Sequence, residues 1–124
     1  MTKGGAAGIF LSVAMAANAA GGVFVPHSFM TGSQYQQFSP PEKQRYVAGV
    51  IDGFFFAPML AATKVMRVYK LQACAVNHQM NDAVITAIVD KLIADKPEIG
   101  GEDMHYIVFR PMRDACAKLG NPID

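Results

Sequence analysis

Two cysteines, Cys74 and Cys116, and three histidines, His27, His78 and His105, carry the most distinctive side-chain chemistry of this 124-residue chain. In an exported protein an even cysteine count reads first as a disulfide. Joining Cys74 to Cys116 closes a loop of about 40 residues, and the chain-entropy model assigns such a closure roughly 4 kcal/mol. A thiolate reading stands beside it, because the spacing of Cys74 and His78 is compatible with one shared ion. It lacks the second closely spaced ligand pair of a structural zinc site, so no metal and no cofactor is expected. Catalysis needs a converging set of groups, and none assembles. There is no Gly-rich phosphate loop, no nucleophile elbow and no helical pair of histidines. Paired cysteines cannot attack a substrate, and the histidines are scattered. The chain reads as a non-enzyme.

Asp52 stands out by its setting. It shares one flank of a predicted helix with Ala48, Gly49 and Gly53, and Arg45 lies two turns earlier on the same side. Each helical glycine costs about 1 kcal/mol relative to alanine. That cost predicts the close approach of another helix or loop across a smooth strip. A buried Asp52 needs a partner, and Arg45, Lys64 or Arg67 could supply a structural ion pair. A role in binding is the alternative.

The elements that must position these residues are helical. Thr31 and Ser33 can cap a short helix carrying Tyr35 and Phe38. Ser39-Pro40-Pro41-Glu42 is a capping box with proline at the first helical position. The helix it starts is expected to reach Ala57, where Pro58 interrupts it, with Val47, Val50, Ile51, Phe54 and Phe55 as its apolar stripe. A further helix is predicted over 59–71, with Cys74 opening a turn region through Met80. Asn81 caps a helix over 82–95, whose Ile85, Ile88, Val89 and Leu92 face inward while Asp82, Asp90, Lys91 and Asp95 face solvent. Lys96-Pro97 ends it, and Gly100-Gly101 marks a turn. The last helix is predicted over 102–119, stopped by Gly120 and Pro122. His105 to Phe109 has strand composition and Pro111 falls inside, so a kinked helix, two short helices or a short strand all fit; helix is preferred. Met30, Met59, Met66 and Met80 flank predicted turns, where exposure of a few is the alternative and core filling the default.

The beginning of the chain sets the compartment. Lys3 precedes an almost wholly apolar run from Ala6 to Ala17, and Ala17-Asn18-Ala19 offers a small-x-small cleavage pattern. The run is too short to span a bilayer, which takes roughly 20 apolar residues. The reading is a signal peptide over 1–19, a loose lead-in over 20–30 and a helical domain over 31–120. The mature protein is then periplasmic, without a stable membrane span. The fold class is mainly α: a small single-domain bundle of four to five helices closed by one disulfide.

Charge is balanced overall, 11 Lys and Arg against 10 Asp and Glu. That argues against bulk electrostatic binding of nucleic acid or acidic membranes. It is unevenly placed, however. Residues 42–70 carry five basic and two acidic side chains, whereas residues 82–103 carry two basic and six acidic ones.

One family likeness emerges. Tyr46-Val-Ala-Gly-Val-Ile-Asp-Gly53 resembles the glycine-bearing Y-x-x-G-x-x-D first helix of the resistance-associated, Tai-type amidase immunity family. Cys74, the Asn81-capped helix with Ile88 and Leu92, Lys96-Pro97-Glu98, Ile107-Val108 and Ala115-Cys116 follow in that family's order. The resemblance implies a small helical periplasmic domain with a disulfide. It further implies binding and inhibition of a peptidoglycan amidase delivered by type VI secretion.

The leading expectation is therefore a non-catalytic periplasmic protein-binding module, an immunity-type inhibitor of a cell-wall amidase. Its partner would be met at Asn77, His78, Gln79 and Met80 near the disulfide, or at Glu98, Gly100, Gly101 and Glu102. Two other classes compete: an acid-stress periplasmic chaperone, whose acidic 82–103 segment would lose charge at low pH, and a structural envelope-assembly subunit meeting its partner through Phe54, Phe55 and Phe56. A homodimer is a further form the partner could take.

Overall fold

A computed structural model describes residues 30–124, so the expected signal segment and all but the last residue of the expected lead-in lie outside the described residues. The chain forms α1 (Gly32–Tyr35), α2 (Pro40–Ala61), α3 (Met66–Asn77) and α4 (Asp82–Asp95), then a 3-10 helix (Pro97–Gly101) and α5 (Met104–Lys118). No strand forms among the described residues; one isolated antiparallel bridge pairs Thr31 with Asp103. The expected helical bundle closed by one disulfide is what forms.

Local signals account for the helix starts. Thr31 caps α1 through a reciprocal pair with Gln34, whose Oε1 accepts the Thr31 amide at 2.9 Å. At α2 the Ser39 amide and hydroxyl both donate to Glu42 Oε2 at 2.8 Å. These bonds, the backbone one foremost, hold the Glu42 carboxyl below its ordinary value. Asn81 Oδ1 accepts the Val84 amide at 2.9 Å, so α4 spans the residues its cap and periodicity predict. Met30, at the end of the expected lead-in, accepts the Met104 amide at 2.9 Å.

Helix limits depart from expectation at the end of α2 and at both ends of α3. Pro58 does not stop α2, which runs on to Ala61. A mid-helix proline removes one backbone bond and crowds the carbonyl four residues back, a cost of about 3 kcal/mol. Continued helix over Met59–Ala61 and the packing of α2 against α3 offset it. The third helix consequently starts later than predicted and contains Cys74, which opens no turn. Pro111 likewise sits inside a continuous α5, buried, and the strand-like His105–Phe109 segment is helical because Ile107 and Val108 are then fully buried on the core side.

The core is one cluster drawn from every helix, with Tyr35, Val47, Leu71, Val89, Met104, Ile107 and Met112 at or near zero exposure. Within it the Cys74–Cys116 disulfide ties the last turns of α3 and α5, with Cα atoms 5.9 Å apart. Ile123 is as buried as the core, so the packed chain continues past the expected boundary at 120.

The glycines that packing requires are not those expected. Gly49 and Gly53 face open space, and a Cβ on either would touch nothing. Asp52 beside them is exposed and forms no salt bridge among the described residues, and Arg67 instead pairs with Asp124 at 2.8 Å. Close approach occurs between α1 and the 3-10 helix. There a Cβ on Gly100 would lie 2.6 Å from Ser33 Oγ, and one on Gly32 would lie 2.8 Å from Ile107 Cδ1.

Candidate functional site

Three helices end in the same way. A residue in the left-handed region follows the helix, and two amides reach back to free carbonyls, the pattern of a Schellman cap. After α2 the residue is Ala62 (φ +50°), and Thr63 donates to the Pro58 carbonyl at 3.4 Å. After α3 it is Gln79 (φ +49°), and Met80 donates to Ala75 at 2.9 Å. After α5 it is Gly120 (φ +81°), and Asn121 donates to Cys116 at 2.8 Å. Glycine, the residue that suits this conformation, stands only at the third.

The second and third caps meet. The disulfide joins α3 and α5 one turn before them, and His78 Nε2 is hydrogen-bonded to Asn121 Oδ1 at 2.8 Å. Met80 packs against the core from below. Arg67 and Arg113 both reach Asp124, at 2.8 and 3.8 Å, which holds the C-terminal residues across α3 and α5. The result is an exposed turn, Asn77-His78-Gln79, fixed by a covalent bridge, a side-chain hydrogen bond and a partly buried methionine. Val76 and Leu119, 68% and 46% exposed, supply apolar surface on its two sides.

The other expected binding segment is used internally. Gly100 is buried under Ser33, whose hydroxyl donates to the Gly100 carbonyl at 2.9 Å, so it cannot touch a partner. Glu102 pairs with Arg110 through its side chain, and its carbonyl accepts the Gly32 amide. Glu98 and Gly101 remain exposed. The two segments sit at opposite ends of α4, which at 1.5 Å per residue keeps them about 20 Å apart. They do not form one site.

The expected polar strip on α2 does not converge either. Arg45, Gly49, Asp52 and Gly53 are all exposed. A polar cluster that sequence reasoning missed lies on the opposite side: Tyr35, fully buried, donates its hydroxyl to Asp90 Oδ1 at 2.9 Å, and Lys43 approaches the same oxygen at 3.7 Å. Burial, then the hydrogen bond and charge of Asp90, hold the Tyr35 hydroxyl above its usual range. Asp90 thus links α4 to α1 and does not merely face solvent. Among the described residues no group of three or more His, Cys, Asp or Glu side chains is placed to hold a metal ion. Cys74 is committed to the disulfide and His78 to Asn121, so the shared-ion reading fails on geometry.

A second surface was also missed. Where α2 turns into α3, Phe56, Met59, Leu60 and Met66 are each more than half exposed, Leu60 at 75%. The phenylalanine triplet divides: Phe54 packs edge-on against Phe109, Phe55 is half-buried and Phe56 faces outward. The sequence signals for this corner were Phe56, the turn-flanking Met59 and Met66, and the absence of Asp and Glu from residues 53–81.

Comparisons with protein-family models, curated proteins and solved structures found no match for this chain.

Proposed function

We propose that this chain is a non-catalytic, exported protein-binding module whose partner is met at the stapled turn Asn77-His78-Gln79. The observation that carries the reading is an exposed polar turn immobilised by the Cys74–Cys116 bridge and the His78–Asn121 bond. Ordering a loop before binding removes much of the entropy that association otherwise costs. Asn77 and Gln79 offer donors and acceptors, and Val76 and Leu119 flank them with apolar surface, a composition suited to a protein epitope. A disulfide at the base of the turn is compatible with an oxidising compartment.

The order of motifs from Tyr46 to Cys116 makes a peptidoglycan amidase the proposed partner, with inhibition as the outcome. Mixing the full chain with a type VI secretion amidase should abolish peptidoglycan hydrolysis near equal stoichiometry. Asn77→Arg and Gln79→Arg should restore hydrolysis while leaving the fold and the His78–Asn121 bond intact, since both residues are exposed. Undiminished hydrolysis at excess of the unaltered chain would remove the amidase. Inhibition that survives both substitutions would move the interface elsewhere.

A further inference from the structure

The corner between α2 and α3 is built unlike the rest of the surface. Phe56, Met59 and Leu60 recur at helical i, i+3, i+4 spacing on α2, and Met66, Tyr69 and Lys70 repeat that spacing on α3. Met59, Lys64 and Tyr69 border one shallow cleft of about 370 Å³ between the two helices. The exposure of this cluster is large: 73% for Met59, 75% for Leu60 and 58% for Met66. Large apolar side chains exposed together on two adjoining helices mark an interaction surface.

Within its own stretch of sequence the charge has one sign. Lys64, Arg67 and Lys70 are the only ionised side chains between residues 53 and 81, with no Asp or Glu among them. Arg67 is paired with Asp124, whereas Lys64 and Lys70 form no salt bridge among the described residues. We propose that this corner docks on the surface of an anionic phospholipid bilayer, with Phe56, Met59, Leu60 and Met66 in the headgroup layer and Lys64 and Lys70 against the lipid phosphates. Apolar side chains rimmed by lysine are the arrangement that binds such an interface. No helix among the described residues is long and apolar enough to cross a membrane, so the corner would lie on the bilayer and not span it. A second copy of the chain is a poorer occupant, because two corners placed face to face would set lysines against lysines. The balanced net charge of the whole chain does not oppose docking, since exposed charges beyond about 10 Å are largely screened at physiological salt. Docking this end leaves the stapled turn, at the far end of α3, free for a protein partner.

The chain contains no tryptophan, so a single introduced indole reports on its own position. Leu60→Trp marks the corner, and Val76→Trp marks the other end of α3; both sites are already exposed, so neither substitution threatens the core. Each full-length variant is mixed with phosphatidylcholine vesicles, with or without phosphatidylglycerol, and with matched vesicles carrying brominated acyl chains. Leu60→Trp should shift to the blue and be quenched on the phosphatidylglycerol vesicles, whereas Val76→Trp should do neither. Adding Lys64→Gln and Lys70→Gln to the Leu60→Trp variant should weaken vesicle affinity on the order of 30-fold, each lysine contributing several-fold at an anionic surface. An unquenched Leu60→Trp probe on bound protein would assign the binding to another part of the chain and overturn the proposal. So would equal quenching of both probes, or affinity indifferent to phosphatidylglycerol. A blue shift without vesicles, with doubled mass, would replace the lipid with a second copy.

Discussion

At one end of α3 the chain reverses through Ala62 at φ +50°, at the other through Gln79 at φ +49°, and both reversals close with the same pair of backbone bonds. Their surroundings differ. Beyond Gln79 comes Met80, which packs on the core, and beside it stand the disulfide and the His78–Asn121 bond. Beyond Ala62 comes Thr63, exposed, and the surrounding Met59, Leu60 and Met66 are left in solvent. A Schellman cap usually brings a hydrophobic contact from the residue after its left-handed position. The α3 cap has that contact and the α2 cap lacks it. Identical backbone geometry therefore does not determine whether a turn is anchored; the next side chain and its tertiary partner do.

The contrast can be broken at its strongest point first. Replacing Cys74 and Cys116 by alanine should cost up to about 4 kcal/mol in chemical denaturation. Hydrogen exchange should accelerate at 78–81 and 119–123 while 62–65 stays unchanged. Equal acceleration at both ends would show that the bridge stabilises the bundle globally and does not specifically anchor the α3–α4 turn.

Glycine substitution sharpens the parallel. Ala62→Gly and Gln79→Gly both remove a Cβ from a left-handed position, and each should raise stability by about 1 kcal/mol. A gain at Ala62 without one at Gln79 would mean that the Gln79 side chain already offsets its strain through contacts at the stapled turn.

A smaller effect tests the corner. Met59→Ser with Leu60→Ser should change stability by no more than about 0.5 kcal/mol, because both side chains are already in water. A loss of several kcal/mol would show that the corner is packed in solution and not presented for docking.

The smallest expected change is pH-dependent and lies away from both turns. The Glu42 carboxyl is lowered in the fold, so its contribution to α2 is present above the unfolded value of 4.5 and is lost as pH falls through the lowered folded value. Acid titration of the Ser39 amide resonance should follow that sign and vanish in Glu42→Gln.

Sequence by itself determined what depends on near neighbours. The Ser39 and Asn81 caps, the limits of α4, the Gly120 stop and the cysteine pair were all legible, because a cap or a helical stripe is written within about four residues. Gly49 and Gly53 look like packing glycines and face solvent, whereas Gly32 and Gly100, in short segments without a helical stripe, are the two that permit close approach. Asp90 sits on a helix face that periodicity assigns to water, yet it accepts the Tyr35 hydroxyl from a residue 55 positions away. The two expected binding segments were each visible, but their separation by the length of α4 was not. Tertiary structure alone decided these points, since which surfaces meet depends on how helices distant in sequence stack, and no local pattern records that choice.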